Sequence, residues 1–426
     1  MSTPGQQPSP GAFLRLVALG ALIGVPAAFL AALLLAFVHD LEGWLWDDLP
    51  DALGYASPPW FLVLGLPVAG AAVVIIARRL LPGDGGHPPM KGLSMEPTPV
   101  SHAPGVVLAA VGTLGFGAVL GPEMPVIALG SAVGMLVVRF VKMGRQETTV
   151  LSTAGAFSAI SALFGGPIVA GMLLVEGGLA MGAALLPALL PGFVAAAIGY
   201  LIFVGFGDWG GLSTPGLVVP HLPLYDGVHA GDLAVALIVG VGAALIVTAV
   251  RGLGTSVDAL RPRLGMAPLL LAGGFAVGAL AEIADLLGDN SQDVLFSGQT
   301  SVPVVAEATS TKVVVILLVA KFLAYGVSLG CGYRGGPIFP AVFLGVALMA
   351  FPVVWFDASP TLAIAVGAAA GMAAQTKLLI SPVLFASLLV GSQGADAIPA
   401  AVIATAAAWL TMTALERRRT PSPSPA

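Results

Sequence analysis

Glu123 is a carboxylate set inside the apolar run Gly121-Pro122-Glu123-Met124-Pro125-Val126-Ile127-Ala128-Leu129-Gly130. The run returns as Gly336-Pro337-Ile338-Phe339-Pro340-Ala341-Val342-Phe343-Leu344-Gly345, both reading G-P-x-x-P-x-x-x-L-G. In each copy Gly and Pro stand just ahead of an apolar helix. Pro suits a first helical turn, and Gly lets a ligand come close to the backbone. The first N–H groups of a helix are unpaired and carry roughly half a positive charge. Two such starts converging on one point form an anion site without a fixed cation. The candidate anion-binding residues are Gly121, Pro122, Met124 and Pro125 in one copy, and Gly336, Pro337, Ile338, Phe339 and Pro340 in the other. Glu123 is the candidate gate, because a carboxylate there mimics the anion, blocks its place, and can move aside when protonated. Ile338 holds the equivalent position, so the feature is asymmetric. The bland alternative is a pair of ordinary helix starts with Glu123 capping its own helix; the pairing weighs against it. Gly83-Asp84-Gly85-Gly86-His87-Pro88 is a third Gly-rich stretch before an apolar segment, and adds Gly85, Gly86, His87 and Pro88 as looser candidates.

The elements that must carry these residues are membrane helices. Of 426 residues, 57% are hydrophobic and only 9% charged, against roughly 25% charged in soluble domains. A mean hydropathy of +0.98 leaves too little charge to cover an aqueous surface. The balance of 17 basic against 22 acidic residues contains no basic cluster longer than Arg417 to Arg419, so nucleic-acid binding is excluded. One cysteine, Cys331, rules out an intrachain disulfide, and the five scattered histidines show no metal-ligand spacing. No cofactor or metal is expected. Many apolar segments fall short of the roughly 20 residues that cross a bilayer. Short segments broken by Gly and Pro predict re-entrant helices lining a cavity. Lys321, inside an apolar run, is read as snorkelling to the interface.

The repeat has a fixed offset (336 − 121 = 215), which also carries Pro167 to Pro382 and Leu173-Leu174-Val175 to Leu388-Leu389-Val390. The chain divides into a tail at 1–11, a first membrane repeat at 12–206, an external linker at 207–229, a second repeat at 230–414, and a basic, Pro-rich tail at 415–426. Charges flanking equivalent segments are opposite: acidic after the first long helix (Asp40, Glu42, Asp47), basic after its counterpart (Arg251, Arg261, Arg263). The positive-inside rule then makes the halves inverted, with both termini cytoplasmic and the site near the midplane.

Together, order, spacing and repeat resemble the voltage-gated chloride channel (CLC) family, which holds chloride channels and proton/chloride antiporters. The resemblance covers about residues 12–414. Its G-[RK]-E-G-P motif is similar to Gly121-Pro122-Glu123-Met124-Pro125, with Glu123 at the gating glutamate. Its G-x-F-x-P motif is similar to Gly336-Pro337-Ile338-Phe339-Pro340, and its G-S-G-x-P motif more loosely to the stretch from Gly83 to Pro88. The departures are Pro122 for the basic residue, Met124 for Gly, Ile338 for Phe, no serine between Gly83 and Pro88, and no tyrosine after Tyr333. The resemblance implies an all-α integral membrane protein of two inverted halves, carrying chloride or a similar small anion across the cell membrane, alone as a channel or in exchange for protons as an antiporter. It also implies a homodimer. Glu176 falls near the family's internal proton-transfer glutamate, or simply ends a helix facing water. A cation-coupled small-solute transporter also uses inverted repeats and is the alternative.

Overall fold

The computed structural model of the chain describes residues 10–93, 96–141, 143–178, 185–210 and 217–419. Seven longer helices form the first half: α1 (Pro10–Gly43), α2 (Trp60–Leu80), α3 (Ala103–Leu114), α4 (Glu123–Val141), α5 (Arg145–Leu163), α6 (Pro167–Gly177) and α7 (Leu185–Gly210). Seven more form the second: α8 (Ala230–Asp258), α9 (Met266–Leu286), α10 (Thr311–Cys331), α11 (Ile338–Phe356), α12 (Pro360–Thr376), α13 (Ile380–Val390) and α14 (Ile398–Arg419). Short helical turns connect them, and no strand occurs among the described residues.

The fold is an all-α membrane architecture of two inverted halves. Nine helical stretches among the described residues are long and apolar enough to cross a bilayer. By contrast α3 and α6, with 12 and 11 residues, reach only about 18 and 16 Å at ~1.5 Å per residue. Neither crosses a hydrocarbon core of about 30 Å, so both are broken segments rather than full spans.

The offset read from the motifs holds for whole helices. Glu123 and Ile338 begin α4 and α11, Val141 and Phe356 end them, and Arg145 and Pro360 begin the helices that follow. The last Gly of each motif has a packing reason: small residues let helices approach closely. A Cβ on Gly130 would sit 2.7 Å from Ala159 Cβ of α5, and one on Gly345 only 3.0 Å from the Gly371 nitrogen of α12.

Within the described residues helix α1 runs from Pro10, α7 to Gly210 and α14 to Arg419. Residues 211–216 of the linker, and the ends at 1–9 and 420–426, lie outside the described residues. The rest of the linker docks on the second half through Val219 N–H to Leu389 O (2.9 Å) and Tyr225 N–H to Gln393 O (3.0 Å).

Candidate anion site

The two repeated motifs meet. Gly121 N–H donates to Gly336 O at 2.7 Å and Gly336 N–H to Gly121 O at 2.5 Å, an antiparallel bridge between repeat-equivalent residues. Immediately after it, Glu123 opens α4 and Ile338 opens α11. Glu123 is 0% exposed. Its Oε1 accepts hydrogen bonds from Ile338 N–H (3.0 Å) and Phe339 N–H (2.9 Å), the unpaired first donors of α11. Its Oε2 has no partner. That oxygen lies in a slot left by the two bridge glycines: a Cβ on Gly121 would be 2.7 Å from Glu123 Cδ, and one on Gly336 would overlap Oε2 outright. The carboxylate of one half thus fills the donor cradle of the other.

Packing fixes that cradle. The loop before Gly121 is held by Trp46 Nε1–H to Gly115 O (3.1 Å) and by Val119 N–H to Ser328 Oγ (3.1 Å). Tyr325 of α10 donates its hydroxyl to Pro337 O at 2.7 Å. The Phe339 ring stacks on Phe164 (5.9 Å, 6°), and Phe385 meets both edge-on. Such aromatic packing confines the backbone whose N–H groups face Glu123.

The third stretch behaves differently from its sequence reading. Gly85, Gly86, His87 and Pro88 do not start an α-helix: among the described residues two three-residue turns, Pro89–Lys91 and Val100–His102, follow, and α3 begins at Ala103. Prolines at 88, 89, 97 and 99 stop helix formation there, and positive φ from Gly83 through Gly86 curls the chain. The loop is instead clamped by charge. Arg78 donates to both Asp84 carboxylate oxygens (2.8 and 3.1 Å), and Arg334 donates to the Asp84 carbonyl (2.9 Å) and to its Oδ2. Burial alone would raise the Asp84 carboxyl, but these two guanidiniums outweigh it and hold it below the ordinary carboxylate range. Gly86, His87 and Pro88 line a cavity of ≈ 270 Å³ beside Met124 and Ile127 of α4.

On another side of the cradle a cavity of ≈ 370 Å³ is lined by Pro337, Ile338, Glu176, Arg251, Gln375 and Lys377, among others. Glu176, at the end of α6, caps α13. It accepts from Leu379 N–H (2.9 Å), Ile380 N–H (2.8 Å), Ser381 N–H (2.7 Å) and the Ser381 hydroxyl (2.6 Å). A protonated carboxyl has fewer acceptor positions and could not keep all four. Lys321 does not snorkel. It is 0% exposed, and its Nζ donates to Asp293 O (3.1 Å) and Leu295 O (2.6 Å) with the Phe343 ring centroid 4.8 Å away. Loop carbonyls inside the protein satisfy the ammonium, so it has no need of the interface. Sequence reading gave no place at the site to Tyr325 or Gln375 and used Arg251 only for topology; each is a polar side chain in an apolar helix, the one signal available.

A buried carboxylate of one inverted membrane repeat, held by the first N–H groups of a helix in the other, marks a class of membrane proteins with an anion-binding cradle between their halves. The family model described as "Voltage gated chloride channel" matches residues 69–412. Similar relatives are the "Putative ion-transport protein YfeO" of Escherichia fergusonii and of Escherichia coli, each 32% identical over 344 residues, covering 76% of this chain and 76% of theirs. Among solved structures, a slow cyanobacterial Cl⁻/H⁺ antiporter superimposes with TM-score 0.76 at 17% identity, covering 94% of this chain and 95% of that one. A CLC-type fluoride/proton antiporter does so with TM-score 0.72 at 18% identity, covering 96% and 98%. The chain belongs to the voltage gated chloride channel family and is a multi-pass membrane protein of anion transport.

Proposed function

We infer that this chain carries a small inorganic anion, chloride foremost, through a pathway that Glu123 opens and closes. The observation that supports this most is the pair of donors, Ile338 N–H and Phe339 N–H, bound to Glu123 Oε1 at 3.0 and 2.9 Å. An anion arriving at the cradle would take the same donors, so carboxylate and anion compete for one place. Protonation of the unpartnered Oε2 removes the negative charge, weakens both hydrogen bonds, and lets the side chain leave. The cradle offers N–H donors, which suit an anion and not a sodium ion; this favours the reading over a cation-coupled transporter.

Each opening by protonation takes up a proton, so the same step links anion flux to pH and provides for exchange with protons. Glu176 lines the adjoining cavity and is the candidate for the inner proton, although its four donors also give it a capping task. We read the protein as a homodimer of the cell membrane with both termini cytoplasmic, from the family and from the placement of its basic residues. Anion efflux from liposomes of purified protein, with internal pH recorded, tests the reading. Chloride efflux accelerated by acid is expected; absence of chloride, nitrate and fluoride efflux would overturn it.

A further inference from the structure

The segment that leads into the cradle, from Gly332 to Gly336, is tied down at each residue. Arg78 Nη1 donates to Gly332 O at 2.9 Å, the Tyr333 hydroxyl to Pro67 O at 2.6 Å, and Arg334 N–H to Thr113 Oγ1 at 3.2 Å. Gly335 lies so near the other motif that a Cβ there would be 2.8 Å from Leu120 Cβ. Gly336 then makes the bridge to Gly121 and walls the slot around Glu123 Oε2.

Two of these ties run through guanidiniums that share one carboxylate. Arg334 stands two residues ahead of Gly336, and its buried side chain donates to the Asp84 carbonyl at 2.9 Å and to Asp84 Oδ2. Arg78, equally buried, holds both Asp84 oxygens as well as Gly332 O. A Cβ on Gly85 would be 3.1 Å from Arg78 Cγ and 3.3 Å from Arg334 Cγ, so the loop lies on both arginine stems. Among the described residues no other carboxylate pairs with either guanidinium. Arg261 also bears on Arg334, but it is a third positive charge and is itself paired with Asp258. Without Asp84 the two buried guanidiniums would repel, and Arg334 would draw on the backbone that precedes Gly336. That backbone continues through Pro337 into Ile338 N–H and Phe339 N–H, the donors on Glu123. Such bonds weaken steeply once their geometry opens.

We propose that Asp84 is a positioning residue for the gate: by holding Arg78 and Arg334 together it fixes the segment from Gly332 to Gly336 and sets how firmly the cradle grips the Glu123 carboxylate. This rests on the gate inferred above. Asp84 acts through Arg334, across the two halves of the chain, and not at the cradle itself.

The test is the pH profile of chloride efflux from liposomes, with thermal midpoints measured on the same purified proteins. A looser cradle stabilises the charged form of Glu123 less, so protonation opens the gate at higher pH. Asp84→Asn should move the midpoint of acid activation up by about one unit, the scale of losing one of the two charge-assisted bonds. Asp84→Glu, which keeps a charge between the guanidiniums, should restore most of the wild-type midpoint. Arg334→Lys keeps the charge but loses the fork, and should shift the profile in the same direction as Asp84→Asn. The double variant should shift it no further than the larger single one, because both changes break one link. If Asp84→Asn does not fold, Arg334→Lys decides. A lowered thermal midpoint with an unmoved pH profile would make the cluster merely structural and overturn the proposal. Additive shifts would also overturn it, since Asp84 would then not act through Arg334. A wild type whose efflux ignores pH sinks the gate reading instead.

Discussion

A single methyl group at position 336 tests how Glu123 is held. A Cβ there would overlap Glu123 Oε2 and stand 2.9 Å from Glu123 Cβ; the three nearest atoms all belong to that side chain. Gly336 is not among the residues with positive φ, so alanine can adopt its backbone. The carboxylate must leave, and leaving breaks its bonds to Ile338 and Phe339. A hydrogen bond to a charged group contributes about 1.5–3 kcal/mol, so the closed state loses about 3–6 kcal/mol. At about 1.4 kcal/mol per tenfold, the lower figure already reduces occupancy of the cradle by Glu123 roughly 100-fold. Chloride efflux from liposomes reads this directly. Gly336→Ala should pass chloride at neutral pH about as fast as the wild type does in acid, with little further response to acid. Wild-type rates and wild-type pH dependence in a folded variant would refute the wedge, and with it the claim that anion and carboxylate share one place.

Three further outcomes concern what surrounds the cradle. Asp84→Asn leaves the Arg78 and Arg334 side chains, 5% and 4% exposed, without their shared anion. It should cost about 2 kcal/mol, below the ~3–5 kcal/mol of a fully buried pair because the Asp84 side chain is 57% exposed. Because the Asp84 carboxyl is held below its ordinary value, its stabilisation is complete above about 3.9 and fades as pH falls through the folded-state value. Wild-type thermal midpoints should therefore drop in acid by more than those of Asp84→Asn; parallel curves would contradict the clamp. Glu176→Gln replaces an acceptor oxygen with a donor facing Ser381 and should destabilise the protein by about 1–2 kcal/mol, read as a lower thermal midpoint in detergent; an unchanged midpoint would remove the capping role. Lys321→Met strips the donor from Asp293 O and Leu295 O and should cost about 2 kcal/mol in the same assay. A neutral effect there would mean water replaces the ammonium.

The parts of the site that lie within one helix start were legible. Gly121, Pro122, Glu123 and their counterparts at 336–338 announce themselves because Gly and Pro ahead of an apolar run have few other uses. The 215-residue offset then predicts the partner, and the hydrogen bond from Ile338 to Glu123 spans that separation. Groups joined by charge across the fold were not legible. Asp84 and Arg334 are 250 residues apart, and no periodicity connects them. The stretch from Gly83 to Pro88 was therefore read as a helix start when an ion cluster shapes it. Lys321 misled for a similar reason: its carbonyl partners belong to the loop near Asp293 and Leu295, whose return into the protein no local pattern signals. Glu176 came near a proton route through the family resemblance alone, while its engagement with α13 depends on how the two halves pack.

The most direct test of the central claim compares wild-type protein with Glu123→Gln in liposomes, recording chloride efflux and internal pH together. If the Glu123 carboxylate is the gate and its protonation the opening step, the wild type responds steeply to acid. The glutamine variant then passes chloride at a rate independent of pH and moves no protons with it. A Glu123→Gln protein that remains fully pH-responsive would place the gate elsewhere and contradict the account.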